Sequence, residues 1–93
     1  MREIVRQSAF KRDYKREKKG RYGTTLDTRL QDVLEHLVHD VALPEKFKDH
    51  KMGGLWQDCR NCHLRPDLIL LYRKPDDDTL HLVRLGSHGE LGI

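Results

Sequence analysis

The sequence predicts a single α+β domain, in which a small, largely antiparallel sheet carries two N-terminal helices packed on one face. Three observations support this fold class. Apolar side chains in residues 24–41 recur at spacings of three and four, which is the period of a helix. Residues 67–73 and 79–85 are short strand-like runs joined by the polar turn 74–78, as in a hairpin. A chain of 93 residues is long enough for one modest core, so we expect residues 1–93 to form one domain.

A short strand and a basic helix are expected to open the chain. The strand covers residues 3–6, and Ser8 is the expected N-cap of a helix that runs to about Lys19. Phe10 and Tyr14, four residues apart, give this helix a narrow apolar stripe. Six cations cover much of the remaining surface and are candidates for binding RNA or the ribosome: Lys11, Arg12, Lys15, Arg16, Lys18 and Lys19.

The second helix has the clearer periodicity. Thr24, with Asp27 three residues later, resembles a capping box at its start, and Pro44 is expected to force its end. His36 and His39 fall near that end and are interpreted as surface residues. The apolar stripe that predicts burial consists of Leu26, Leu30, Val33, Leu34, Leu37 and Val41.

Strands are expected in the C-terminal half, at residues 56–64, 67–73 and 79–85. In the first of them, alternation lets Cys62 point inward while His63 points outward. In the second, Pro66 fixes the bend that places Asp67 at the strand start. In the third, Arg84 alternates with Leu80 and Leu82, which puts a charge on an otherwise apolar face. His88 follows Gly86 and Ser87, on what we expect to be a flexible terminus.

Composition and charge limit the classes of protein that the chain can belong to. No apolar run reaches the roughly 18 residues of a membrane span. The first ten residues lack the apolar segment of a secretory signal, so we expect a cytoplasmic protein with reduced cysteines. The first 30 residues hold ten Lys or Arg against four Asp or Glu, and the remainder holds eight against eleven. The basic N-terminal third can attract phosphate, although a single basic run is more often just a solvated face.

The segment Cys59–His63 matches C-x-x-C-H, the pattern of covalent haem attachment. On a strand the two cysteines would point to opposite faces, and a core of this size offers little room for haem. A zinc site made by Cys59, Cys62, His63 and His50 has suitable ligand types but needs the cysteines to converge. We therefore expect no metal and no cofactor, and interpret both cysteines as small sheet residues.

Three histidines, one aspartate and one arginine form a candidate catalytic set: His50, His63, Asp67, Arg84 and His88. RNA carries its own nucleophile, the 2′-hydroxyl. Its cleavage needs a base for the hydroxyl proton, an acid for the departing 5′-oxygen and positive charge at the phosphate. Histidine is suited to acid–base chemistry near neutral pH, and arginine to phosphate binding. From spacing alone, scattered surface histidines explain the pattern about as well.

Three sequence blocks sharpen this interpretation: KDHKMGGLW, CRNCHLRPDLILLY and LVRLGSHGEL. They resemble the YafQ branch of the RelE/ParE toxin superfamily. The resemblance implies a RelE-like fold and a toxin, restrained by an antitoxin, that cuts messenger RNA on the ribosome without a metal. It also implies that His50, His63, Asp67 and His88 carry proton transfer and that Arg84 contacts the scissile phosphate. We expect His88 to be the general acid, with Asp67 or a neighbouring histidine as the base.

Two other functions are compatible with the sequence. One is a ParE-like toxin that inhibits a DNA topoisomerase, although such an inhibitor needs no acid–base set. The other is a non-catalytic module that binds RNA or the ribosome through the basic first helix. Messenger RNA, the ribosome and an antitoxin protein are the expected partners, and no membrane is expected.

Overall fold

All 93 residues are described by a computed structural model. Two 3-10 turns, Glu45–Phe47 and Gly54–Trp56, flank a two-residue strand between the helical and the main β region. The regular elements, in chain order, are β1 (Glu3–Arg6), α1 (Ser8–Lys18), α2 (Gly23–Val38), β2 (His50–Lys51), β3 (Arg60–Arg65), β4 (Leu68–Arg73), β5 (Thr79–Gly86) and α3 (His88–Leu91).

The five strands form one sheet in the order β1-β5-β4-β3-β2. Only β1 and β5 run parallel, and the other three pairs are antiparallel. The predicted hairpin is β4–β5, with Leu70 opposite Leu85. The α+β fold class and the largely antiparallel sheet are therefore confirmed. No helix combines the length and the apolar character required to cross a membrane.

The larger core lies between α1, α2 and one face of the sheet. It includes Phe10 from α1, Leu26 and Leu37 from α2, and Leu70 and Leu82 from the sheet, all fully or almost fully buried. A smaller cluster covers the opposite face and consists of Cys59, Ile69, Leu71, Val83 and Leu91. Burial on both faces explains why β4 is an uninterrupted apolar run.

The helix starts differ from those expected. Ser8 is the first residue of α1, and the N-cap, Gln7, makes no side-chain capping bond. The second helix begins at Gly23, also without a side-chain cap, so the predicted Thr24–Asp27 capping box is wrong. Asp27 instead accepts hydrogen bonds from Lys18 and Tyr14, which join α1 to α2. Asp27 therefore bonds side chains of α1 and does not cap its own helix.

The second helix also ends earlier than Pro44 would require. It stops at Val38, and Asp40 adopts a left-handed backbone conformation with φ 56°. The Asp40 carboxylate lies 2.8 Å from Nε of Arg2 and 2.7 Å from Nζ of Lys74, which hold this turn in place. Val41, expected on the buried stripe, is consequently 54% exposed.

The C-terminal half contains three further corrections. Residues 54–56 form a 3-10 turn, so the strand expected from Trp56 begins only at Arg60. Strict alternation in β5 fails because Leu82 pairs with Tyr72 and Arg84 with Leu71, which leaves Val83 as an extra residue. His88 lies at the start of the short helix α3, not on a flexible terminus.

Candidate functional site

Three imidazoles from distant parts of the sequence lie side by side at the end of the sheet. The ring centroids of His50 and His63 are 6.3 Å apart, and those of His63 and His88 are 5.4 Å apart. Asp67 joins them through His88, with its Oδ1 2.7 Å from Nδ1 of that ring. Four of the five residues predicted to be catalytic are thus brought together.

Asp67 and His88 are joined by two hydrogen bonds. Oδ1 of Asp67 accepts the backbone N–H of His88 at 3.0 Å as well as the ring Nδ1–H. Because a carboxylate only accepts, His88 carries a proton on Nδ1, and its Nε2 is directed away from this partner. The bond from the backbone of His88 is the largest cause of a lowered Asp67 pKa, and the bond from the His88 ring is the second. Asp67 is an ionised carboxylate that orients an imidazole.

His63 lies at the centre of the cluster on β3. Its Nδ1 is 3.3 Å from the carbonyl oxygen of Pro66, which leaves Nε2 free. Partial burial is the main cause of a lowered His63 pKa, and the neighbouring His88, His50 and Lys48 lower it further. His63 is therefore a neutral imidazole at neutral pH, with a lone pair that can accept a proton.

His50 is placed by a tight turn before β2. Lys48 adopts a left-handed conformation with φ 48°, which is uncommon for a residue with a Cβ atom, and its carbonyl lies 2.8 Å from Nδ1 of His50. Asp49 is fixed by the hydroxyl of Tyr72 at 2.6 Å and by Nε of Arg60 at 3.2 Å. The turn is thereby anchored to β3 and β4, and the exposed His50 ring faces His63.

A cleft of about 410 Å³ opens beside His63 and His88. Four cations line it and none of them forms an ion pair: Arg29, Lys46, Lys48 and Arg65. Arg65 is held by Thr25 at 2.7 Å and by the ring of Tyr22, while its buried Nε has no hydrogen-bond partner. Sequence analysis missed all four cations, because α2, a loop and β3 supply them separately. The unpaired charge makes the cleft suitable for an anion such as a phosphate backbone.

Arg84 does not line this cleft. Its Nε is 2.6 Å from Oδ2 of Asp13, a side chain that is only 4% exposed. Nη1 of Arg84 makes no hydrogen bond. The extra residue in β5 puts Arg84 opposite Leu71 and out of the Leu80–Leu82 alternation, which corrects the expected placement.

The six cations of α1 fall into two groups. Arg16 forms ion pairs with Asp13, Glu17 and Glu90, and Lys18 forms one with Asp27. The other four are exposed and make no ion pair: Lys11, Arg12, Lys15 and Lys19. The basic run is therefore only partly free to attract an anionic partner.

The two cysteines point to opposite faces of the sheet, as alternation predicted. Cys62 belongs to the larger core and Cys59 to the smaller cluster. Burial raises the pKa of both thiols, that of Cys59 to about 11. Metal ligation by cysteine requires the thiolate, so this placement does not fit the haem and zinc interpretations of Cys59–His63.

The chain is similar to known proteins over most of its length. A family model described as a bacterial toxin of type II toxin–antitoxin systems, YafQ, matches residues 2–92. The mRNA interferase toxin YafQ of Escherichia coli K12 is 36% identical over 64 residues, which are 68% of each chain. A putative toxin YafQ of Haemophilus influenzae is 33% identical over 60 residues, or 61% of this chain and 59% of that protein.

The fold is also similar to that of a solved toxin. In the E. coli DinJ–YafQ toxin–antitoxin complex, the matched chain superposes with a TM-score of 0.78 at 28% identity. The match covers 97% of this chain and 96% of that one. The resemblance inferred from the three sequence blocks is therefore confirmed, and the chain belongs to the YafQ family of bacterial toxins of type II toxin–antitoxin systems.

Proposed function

We propose that this chain is a ribosome-dependent endonuclease that cuts messenger RNA by attack of the substrate's own 2′-hydroxyl. The observation that carries the proposal is the row His50, His63 and His88, with Asp67 bonded to the last ring. The name mRNA interferase, given to the E. coli relative, supports the same activity. The reaction needs one neutral and one protonated imidazole on either side of a phosphate, and the row contains candidates for both.

In this proposal His63 is the general base and His88 is the general acid. The lowered pKa keeps His63 neutral, so its Nε2 can take the 2′-hydroxyl proton. The Asp67 carboxylate stabilises a cationic His88, which can release the proton on Nε2 to the departing 5′-oxygen. Asp67 then has an orienting role, which removes it from the two candidate bases that sequence analysis left open.

His50 and Arg84 have supporting roles in the proposal. Nδ1 of His50 donates to a carbonyl, so Nε2 of the neutral ring has a lone pair and is an alternative base beside His63, whereas Nε2 of the protonated ring donates to the phosphate. Arg84 is proposed to contact the scissile phosphate through Nη1, the guanidinium nitrogen that makes no hydrogen bond. Both roles stabilise negative charge that grows as the phosphorane forms.

The cationic cleft is proposed to hold the RNA strand beside the scissile bond. Arg29, Lys46, Lys48 and Arg65 have no acidic partner, and the cleft reaches His63 and His88 directly. The basic helix α1 is proposed to dock on ribosomal RNA, through Lys11, Arg12, Lys15 and Lys19. Arg16 and Lys18, predicted as docking residues too, are engaged in ion pairs and contribute less.

The remaining expectations complete the proposal. Residues 1–93 act as one domain, since a single sheet spans β1 to β5 and both helices pack on it. A cognate antitoxin protein is proposed to bind and restrain the toxin, and the E. coli relative is named as part of a DinJ–YafQ toxin–antitoxin complex. The proposed substrate places the protein in the cytoplasm, where translating ribosomes are found.

Expression of the chain without its antitoxin tests the proposal. Growth should stop, and messages should be cut within translated regions, leaving 5′-hydroxyl ends and cyclic phosphates. His88→Ala should cut at least about 10²-fold more slowly, the typical size of an acid–base contribution. His39→Ala, which removes an exposed histidine of α2's C-cap, is the matched control and should cut normally.

Three outcomes contradict the proposal in different ways. Equal cleavage by wild type and His88→Ala would remove His88 from the chemistry. Growth arrest with intact messages and intact DNA supercoiling would favour the non-catalytic binding module. Arrest with altered DNA supercoiling and intact messages would favour topoisomerase inhibition.

A further inference from the structure

The helix that carries His88 is too short to be stable without contacts to the rest of the protein. It has only four residues, His88–Leu91, whereas isolated helices shorter than roughly 12 residues are marginal in water. Its capping box, in which Ser87 and Glu90 bond each other's backbone N–H, closes the first turn but does not attach it to the protein. The position of His88 must therefore depend on contacts that α3 makes with other elements.

Arg16 of α1 makes one such contact. Its Nε lies 2.9 Å from Oε2 of Glu90, the residue that also closes the capping box, and 2.9 Å from Oε2 of Glu17 in its own helix. The same guanidinium donates to Oδ1 of the buried Asp13 at 3.0 Å and to the carbonyl of Leu85 at 2.9 Å. Arg16 is thus fixed to α1 and to the end of β5 before it reaches α3.

Gly86 lies under this bridge. A Cβ atom at that position would come within 2.8 Å of Nη2 of Arg16 and 3.1 Å of Oε1 of Glu90. Both distances are shorter than an ordinary van der Waals contact. A side chain at residue 86 would therefore have to displace the end of Arg16 and shift Glu90.

We propose that Arg16 and Glu90 form a positioning bridge that holds α3 so that His88 faces Asp67 and His63. Neither residue touches the reacting atoms, and both act through the placement of His88. Sequence analysis assigned Arg16 to RNA or ribosome binding, and this inference gives it a different main role. It rests on the proposed acid role of His88, but the geometry it concerns can be measured without any cleavage.

Three variants isolate the bridge. Glu90→Gln keeps an acceptor for the capping box and removes the α3 charge that faces Arg16, while Asp13 and Glu17 of α1 stay in place. Arg16→Gln leaves Asp13 bonded to Arg84 and to the N–H of Leu85, so the core contact survives. The double variant tests coupling. Arg6→Gln, which neutralises an exposed cation at the end of β1 that makes no ion pair, is the matched control.

The first readout is the single-turnover cleavage rate at saturating ribosome–message complex. Both single variants should cut about 10-fold more slowly, a smaller loss than the roughly 10²-fold that a 1 Å misplacement can cost. The double variant should be no slower than the slower single variant, since the second change removes a bridge already lost. Arg6→Gln should retain the wild-type rate.

The second readout is the titration of the Asp67 carboxyl by ¹³C NMR in the purified full-length protein. The backbone and ring bonds from His88 keep the pKa of Asp67 low, so a displaced α3 should raise it towards the ordinary 3.8. Arg21, which also lowers the pKa of Asp67, is present in every variant. Arg6→Gln should leave the titration unchanged.

The two readouts separate this inference from the proposed function. An inactive wild type in which the bridge variants still raise the pKa of Asp67 would contradict the endonuclease and retain the positioning bridge. Wild-type cleavage rates together with an unchanged Asp67 titration in both single variants would overturn the bridge. Additive losses in the double variant would show that Arg16 and Glu90 act independently, which also overturns it.

Discussion

Asp13 of α1 and Arg84 of β5, 71 residues apart in the sequence, form an ion pair with Nε 2.6 Å from Oδ2. Asp13 also accepts a hydrogen bond from the backbone N–H of Leu85 at 2.9 Å. One buried carboxylate therefore binds both the backbone of β5 and the side chain of Arg84. The arginine expected to be free for a phosphate is therefore a structural contact as well. The same carboxylate anchors Arg16, and this joins the first helix to the C-terminal part of the site.

Removal of this carboxylate should destabilise the protein. Asp13→Ala leaves Arg84 unpaired and the N–H of Leu85 without an acceptor, so the free energy of unfolding should fall by about 3 kcal/mol. Asp27→Ala, which removes an exposed carboxylate paired with Lys18, is the control and should have a much smaller effect. Urea unfolding followed by circular dichroism measures both, and equal losses would contradict the special role of Asp13.

The stability contributed by Asp13 should depend on pH. Burial acts to raise the pKa of this carboxyl, but the hydrogen bond and charge of Arg84 outweigh it, and the net pKa lies below 3.8. A depressed carboxyl pKa contributes stability above the unfolded value and loses it as the pH falls through the folded value. The difference in unfolding free energy between wild type and Asp13→Ala should therefore shrink below pH 3.8. A difference that stays constant in acid would contradict the pKa assignment.

The acidic limb of the pH–rate profile should report His63. Burial and the neighbouring cations lower the pKa of His63 from 6.5, so the base stays neutral at pH values where an ordinary histidine is half protonated. Single-turnover cleavage should fall only when the pH drops through that lowered value. Addition of imidazole to His63→Ala should partly restore the rate without restoring this limb. A limb at or above 6.5 in wild type would favour a different base.

Charge on α1 should affect binding more than cleavage. Lys11→Gln, Arg12→Gln and Lys15→Gln together should weaken ribosome association and flatten its dependence on salt, because fewer counterions are released. Cleavage should recover with excess ribosomes, since the imidazole row is unchanged. His63→Ala should bind normally and cut poorly at every ribosome concentration. Wild-type affinity in the triple variant would mean that α1 is only a solvated face.

Cleavage should not require a metal ion. The proposed reaction uses imidazoles for proton transfer, and the thiols of Cys59 and Cys62 are held apart on opposite faces of the sheet. EDTA added to purified toxin and preformed ribosome–message complexes should leave the rate unchanged, provided that ribosome integrity is checked by sedimentation. Loss of activity that returns on addition of zinc would revive the alternative at Cys59–His63.

Local sequence determined the elements and most of the core. The helical period of α2 and the apolar run of β4 are properties of neighbouring residues, and the structure buries both as predicted, apart from Val41 beyond the end of α2. The three sequence blocks also identified the family, and they contain the candidate residues His50, His63, Asp67 and His88. Each of these signals depends on residues close together in the chain, so it could be recognised in the sequence before the tertiary structure was known.

Only the tertiary structure determined which side chains those residues contact. Asp27 forms an ion pair with Lys18 and does not cap its own helix. Arg84 pairs with Asp13, and Arg16 pairs with Glu90. The cleft cations Arg29 and Arg65 became neighbours in the same way, through α2 and β3. A side-chain charge is satisfied by whichever opposite charge or dipole the fold brings within about 3 Å, and sequence spacing does not contain that distance. Residue type therefore predicted which side chains could take part in chemistry, whereas the contacts of those side chains depended on the packing of α1 and α2 against the sheet.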